Sequence, residues 1–442
     1  MERLLHYVWQ HRLYDYGSLR TTDGREVEVI APGLHNSNAG PDFIDAKVKV
    51  GGVLWAGNVE VHMVSSDWYK HKHNADRAYD NVVLHVVDKD DGPVFTSGER
   101  EVAQVVLHVP NYVEEHYNEL IREDRCPPCY VYASELPAVK VDNWLDRLAT
   151  ERLEDKTHRI EDLAERLGGD WENALFVTLA RSFGFGINGE AFEEWGMHIR
   201  LMAAGKHRDD IFQIEALFLG QAGLLENCML PSVYREEALR EGYFEKLQNE
   251  YRFLANKFSL QPMDGERWRF LRMRPQNFPH IRLVQLARLY FSRQVSISSI
   301  VGATDLKEVR NLFRTEVTPY WRTHYSFGSV TEESPKSLRE NSVDSLLINT
   351  VIPILYAYGS HRFHQEYCDR ALEFLGKLKP ENNYIVRSWQ TAGLCVASAA
   401  DSQALIQLRK QYCDRKDCLR CNFGMEYLKT TKVYHVLQEP KQ

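Results

Sequence analysis

The chain lacks a basic surplus. Its 442 residues carry 54 Lys and Arg against 62 Asp and Glu, a formal net charge of −8. That excludes a protein that grips nucleic acid with its whole surface, so any contact with a polyanion must come from a local patch. The sequence also lacks a long apolar run. Nothing approaches the roughly 18 consecutive apolar residues of a membrane-spanning helix, and no membrane span is expected. The opening stretch MERLLHYVWQHRLYDYG has no long apolar core and no small-residue cleavage site. It reads as an amphipathic helix and not as a signal peptide. Eight cysteines without a secretion signal are expected to be reduced thiols in a cytoplasm. No fixed-period repeat marks a solenoid. What is present is ordinary for a globular protein, with 44% hydrophobic and 26% charged residues. The length fits two or three domains.

The stretch from Asn38 to Asp88 holds the most information. Gly51-Gly52 separates two β-branched runs, Asp42 to Val50 and Val53 to His62, which signals a two-residue hairpin. Ser65, Ser66 and Asp67 offer caps for a helix running to about Tyr79. Val82 to Val87 is apolar nearly throughout, as in a central strand buried on both faces. Side chains alternate along a strand, so Glu60 and His62 share one face. A tight Gly51-Gly52 turn places Asp42 opposite Val61. A one-residue bulge, which Gly57 or Gly40-Pro41 could host, moves Asp42 to the face of Glu60 and His62. Two carboxylates at one point repel unless a cation lies between them, and oxygen donors suit Mg²⁺ or Mn²⁺.

Pro41-Asp42 followed by Glu60-Val61-His62, on a hairpin preceded by helix and strand and followed by helix and strand, resembles the PD-(D/E)XK superfamily of restriction-endonuclease-like nucleases. The resemblance implies that Asp42 and Glu60 hold a divalent metal and that position 62 orients the attacking water. The family normally has lysine at that third position, and this chain has His62. Over its whole length the chain resembles a bacterial family known as a domain of unknown function, through GPDF, GNVEVH, NFPHIRLVQLA, SQALIQL and CLRCNFG. The first expectation is therefore a Mg²⁺- or Mn²⁺-dependent nuclease acting on nucleic acid. The second is a binding or scaffold protein that keeps the nuclease fold without chemistry. A third is hydrolysis of another phosphoester.

Further strands are expected at Arg25 to Ile30 and Val102 to Val109, and a connecting helix at Tyr112 to Asp124. Cys126-Pro127-Pro128-Cys129 makes a rigid break. The expected organisation is an α/β domain over residues 1–125, restriction-endonuclease-like with a mixed sheet and flanking helices. A larger all-helical domain follows over 126–442. Helical periods cover 139–167, 171–183, 189–204, 209–224, 234–256, 280–293, 306–314, 341–358, 360–378 and 401–413. Pro353 is expected to kink its helix.

Other constellations carry weaker signals. His71 and His73, two apart on the expected helix, do not face each other, which argues against a two-histidine clamp, while Asp67 and His71 can pair. His85 inside an apolar strand reads as a core histidine, with a role in the site left open. Gly184, Gly186 and Gly189 match a G-x-G-x-x-G spacing, but a helical pattern precedes them, so they read as a helix cap and loop. Arg267, Arg269, Arg272 and Arg274 lie among Trp268, Phe270, Phe278 and His280. They could bind a nucleic-acid backbone with aromatic stacking on bases, or form internal salt bridges. Cys413, Cys418 and Cys421 form C-x4-C-x2-C and would need a fourth ligand for zinc or an iron–sulfur cluster, from Cys395, Cys368 or the Cys126/Cys129 pair. Some nucleases of the resembled superfamily carry a cysteine-bound cluster. Buried thiols are the alternative.

Overall fold

The computed structural model describes residues 1–14, 19–36, 38–122 and 126–430. The chain divides into two compact units. The first comprises Met1–Trp144, Arg387–Cys395 and the chain from Leu408 onward; the second comprises Leu145–Val386 and Val396–Gln407.

The first unit is built on a mixed six-stranded sheet. Helix α1 (Glu2–His11) turns Leu4, Leu5, Val8 and Trp9 inward and ends where Arg12 adopts a left-handed conformation. The strands are β1 (Val27–Ala31), β2 (Leu34–His35), β3 (Phe43–Val50), β4 (Val53–Val64), β5 (Val82–Lys89) and β6 (Ala103–Val106), in the order β1-β3-β4-β5-β6 with β2 also on β3. Pairing is antiparallel from β1 to β4 and parallel from β4 to β6. The expected hairpin is present, with φ of 56° at Gly51 and 87° at Gly52, the left-handed geometry that a tight two-residue turn needs. Val82 to Val87 is buried along its whole length, as its apolar run requires.

The helix expected to run to Tyr79 is not continuous. Helix α2 stops after one turn (Asp67–Lys70), and Lys72 takes φ of 63° before two 3₁₀ turns, His73–Ala75 and Arg77–Tyr79. Helix α3 (Asn111–Arg122) and helix α4 (Cys129–Glu135) follow. A late helix, Asn422–Lys429, packs on both, and Tyr427 donates its hydroxyl to Glu119 Oε2 at 2.6 Å.

Gly57 shows how closely β4 and β5 meet. A Cβ there would lie 2.5 Å from the carbonyl oxygen of Asn81 and 2.5 Å from Val83 Cγ1. Backbone cannot retreat as a side-chain tip can. Gly57→Ala is expected to cost about 1–3 kcal/mol of stability, read as a lower denaturant midpoint; an unchanged midpoint would show that the strands can part there.

The second unit is helical, with loops between. Its core gathers Phe176, Trp195, Phe218 and Tyr251, and Trp195 donates its indole N–H to the carbonyl of Phe218 at 3.2 Å. The period over 234–256 is cut by Gly242 at φ of 66°, giving Arg235–Glu241 and Tyr243–Phe258. The helix expected over 341–358 carries a π turn, Leu347–Val351, just before Pro353. A wide turn absorbs the hydrogen bond that proline cannot donate. Gly184 follows the helix Trp171–Phe183, so the glycine motif is a helix end, as its spacing and context suggest.

Candidate metal centre

The centre begins with a bulge. Val50 pairs with Val53 and Ala46 with Gly57, but Phe43 pairs with Val59, so the register slips by one residue between Phe43 and Ala46. Ile44 and Asp45 together oppose one residue of β4, and Asp45 has φ of 55°. The bulge therefore lies in β3 and not at Gly57 or Gly40-Pro41. Its effect is the expected one: Asp42 comes opposite Glu60. The Asp42 N–H donates to Glu60 Oε2 at 3.0 Å, and the Val61 N–H donates to Asp42 Oδ2 at 3.0 Å. His6 from α1 sets its Nε2 3.4 Å from the same Asp42 oxygen.

On the other side of Glu60 lie four imidazoles. The left-handed turn at Lys72 brings both His71 and His73 to the sheet. An unbroken helix would have pointed them apart, so the expectation against their convergence is overturned. Asp67 pairs instead with Lys70 at 2.6 Å. The ligand nitrogens of His62, His71 and His73 all lie within 4.8 Å of one another. Glu60 Oε1 is 3.5 Å from His62 Nε2 and 3.2 Å from His73 Nε2. His73 stacks on Tyr79 with ring centroids 3.7 Å apart. His73 Nε2 is buried, yet its orientation makes no hydrogen bond. A buried polar atom left without a partner is costly, and an ion would satisfy it.

A chain of partners sets the tautomers. Gln104 Nε2 donates to the carbonyl of Gly92 at 2.9 Å, which turns its Oε1 toward His85 Nδ1 at 3.0 Å. His85 Nδ1 then carries the proton, and its bare Nε2 accepts from His62 Nδ1 at 2.9 Å. The remaining His62 nitrogen, Nε2, is left with its lone pair facing His71 Nδ1 at 3.1 Å. His85 is thus a fully buried histidine that also orients the centre.

Burial and neighbouring charge shape these groups. Burial, reinforced by Glu60, pushes the Asp42 carboxyl up to about 7. Burial, reinforced by His85, His73 and His71, holds His62 down at about 3. Burial alone dominates at His85, lowered to about 4. His6 is lowered to about 4 by burial and by His35. Burial, then Glu60 and Asp42, raise Tyr79 to about 12. His6, His62 and His85 are therefore neutral at physiological pH, the state in which imidazole binds metals. His71 is exposed and Asp42 half-buried, so the centre opens to solvent there.

A family model described as a protein of unknown function (DUF2851) matches residues 2–384. The chain belongs to that family. No curated protein and no solved structure matches it. The part of this DUF2851 chain that the model matches contains every residue of the centre and ends before Cys413. No helix among the described residues is long and apolar enough to cross a membrane.

The remaining expected residues of this DUF2851 chain fall elsewhere. Arg267, Arg269, Arg272 and Arg274 are exposed on the irregular stretch of the second unit that precedes the helix Pro279–Ser292. Arg267 pairs with Glu194 at 2.9 Å. Among the described residues no carboxylate pairs with Arg269, Arg272 or Arg274. The expected stacking aromatics are not all available. Trp268 is buried and donates its indole N–H to the carbonyl of Ala222 at 2.7 Å, and His280 is buried against Trp321 and Phe327. Their apolar faces serve the core. Cys413, Cys418 and Cys421 gather around one cavity in the first unit, and Cys129 joins them.

Proposed function

We propose that this chain hydrolyses a phosphodiester with a divalent transition-metal ion bound at Glu60, His62, His71 and His73. The observation that carries the reading is the convergence of His62 Nε2 and the unsatisfied His73 Nε2 within 3.5 Å of one carboxylate oxygen, Glu60 Oε1. A donor set with three imidazoles suits Mn²⁺, Zn²⁺ or Fe²⁺ better than the Mg²⁺ expected for carboxylates alone. Such an ion supplies Lewis acidity and a bound water of lowered pKa. The protein's own contribution is orientation. Gln104 and His85 hold His62 in the tautomer whose lone pair faces the centre. The Val61 N–H holds Asp42 at the solvent side, next to Glu60, where it can accept a hydrogen bond from an attacking water.

The restriction-endonuclease-like expectation is supported by element order. An antiparallel β1-β3-β4 meander carries the acids, and a short helix leads to β5, parallel to β4. His62 replaces the lysine of that motif and is buried, uncharged and held between His85 and His71. That observation favours a second reading, in which the centre binds metal without turnover. Arg269, Arg272 and Arg274 supply guanidinium groups suited to phosphates.

The test offers labelled single- and double-stranded DNA, RNA and a small phosphodiester to the full chain with Mn²⁺, Zn²⁺ or Mg²⁺. Expected are cleavage with Mn²⁺ or Zn²⁺ and its disappearance in Glu60→Gln and His73→Ala. Nucleic-acid binding should weaken steeply with salt. Arg272→Ala with Arg274→Ala should lower the slope of log K against log salt by about 1 for each phosphate that an arginine no longer neutralises. No turnover with any of these substrates, alongside retained metal binding, would establish the second reading. Salt-independent binding would remove the arginines from the proposal.

A further inference from the structure

We propose that Cys129, Cys413, Cys418 and Cys421 together bind a thiolate-held metal, zinc or an iron–sulfur cluster, that ties the segment Cys413–Cys421 to α4. Four cysteines from two remote segments line one small cavity, together with Arg409 and Leu120. Cys129 opens α4. Cys413 closes a π turn, Leu408–Cys413. Cys421 stands at the N-cap of Asn422–Lys429, with the backbone of Phe423 and Gly424 against its sulfur. The turn between them is fixed by close packing, since a Cβ on Gly424 would lie 2.5 Å from the Cys418 carbonyl oxygen. None of the four is in a disulfide.

Cys129 supplies the ligand that the C-x4-C-x2-C spacing lacks, and tertiary structure makes the choice among the candidate fourth ligands. Thiolates gathered around one small cavity need a cation to stabilise them. Arg409 on the cavity wall complements the negative charge that four thiolates bring. Four thiolates suit either a single zinc or an iron–sulfur cluster, and metal and sulfide analysis tells the two apart.

The metal would act as a cross-link between Cys129 and the segment Cys413–Cys421, closing a very long loop and coupling the folding of α3, α4 and Asn422–Lys429 to its binding. The full chain should be purified anaerobically without chelator and assayed for iron, zinc and acid-labile sulfide, with visible absorption and Mössbauer spectra. About one zinc per chain without sulfide, or about four iron with about four sulfide, is expected. Cys129→Ser and Cys413→Ser should lose the metal, while exposed Cys228→Ser and Cys395→Ser keep it. A wild type with neither metal at stoichiometric level, or a metal that survives Cys129→Ser, would overturn the proposal. If the Cys129 variant does not fold, the metal content of the wild type still decides.

Discussion

A hundredfold excess of Mn²⁺ or Zn²⁺ over its dissociation constant is expected to stabilise the first unit by about 2.7 kcal/mol relative to EDTA-treated protein, because an ion that binds only the folded state adds its binding free energy. The unfolded chain cannot offer this site. Glu60 and His62 lie on β4, but His71 and His73 reach them only through the left-handed turn at Lys72. The shift should be read from melting curves over a range of metal concentrations and should grow with the logarithm of the free ion. Glu60→Gln and His73→Ala should abolish it. Lys70→Ala, whose charge lies on the exposed side of α2, should leave it intact. Gln104→Ala should weaken metal affinity about 10–100-fold, because it releases the orientation of His85 and through it that of His62. Mg²⁺ should give the smallest shift, since imidazole competes poorly for its hydration shell. Curves that coincide for every ion and for EDTA would sink the metal-centre reading.

Glu215→Gln is expected to stabilise the second unit above neutral pH by about 3 kcal/mol, because burial makes the ionised carboxylate costly there. Glu215 is fully buried; the Tyr243 hydroxyl donates to its Oε2 at 2.8 Å and the Thr318 hydroxyl to its Oε1 at 2.7 Å. Burial outweighs these bonds and raises the carboxyl from 4.5 to about 7. The folded state therefore keeps its proton where the unfolded chain has given it up. The group's contribution is fully favourable below pH 4.5, is lost as pH rises from 4.5 to about 7, and stays lost above that. Glutamine keeps the shape, and both hydroxyls can rotate to serve its amide, so the variant should be more stable at pH 8 and less dependent on pH between about 5 and 7. Urea denaturation on both sides of neutrality measures this. A variant that is less stable than wild type at the alkaline end would show that the ionised carboxylate is needed by Tyr243 and Thr318.

The candidate metal centre and Glu215 differ in how far the sequence reveals them. Glu60 and His62 can be assigned to one face because a strand's period is a local property of two-residue alternation. The glycine pair at 51 and 52 announces the hairpin for the same reason. The need for a bulge follows from counting residues across that turn, but its position does not. Any residue that tolerates left-handed geometry can host one, and Asp45 does so where the glycines nearby do not.

His71 and His73 are legible as a pair of histidines, but the helix expected around them points them apart. Ser65, Ser66 and Asp67 signal where a helix starts, whereas Lys72 gives no local sign that the helix stops one turn later. Packing of Trp68 and Tyr79 under the sheet decides that stop, with Trp68 wholly buried. Glu215 carries no signal at all, because a lone acid in an apolar helical run becomes a buried carboxyl only when Tyr243 and Thr318 close over it.

The arginine segment shows the same division. Its charges are evident, while the role of Trp268 is not, since exposure depends on what packs against a side chain. Sequence by itself determined most of the elements, the mixed α/β start with a helical remainder, the shared face of Glu60 and His62, and the three-cysteine spacing. All of these rest on relations within a few residues. Tertiary structure alone decided where the bulge lies that brings Asp42 to Glu60, that four histidines gather beside it, and that Cys129 lines one cavity with the other three cysteines. Those meetings join positions from about 10 to nearly 300 residues apart, and their cost in loop entropy is met only by burial of the whole unit.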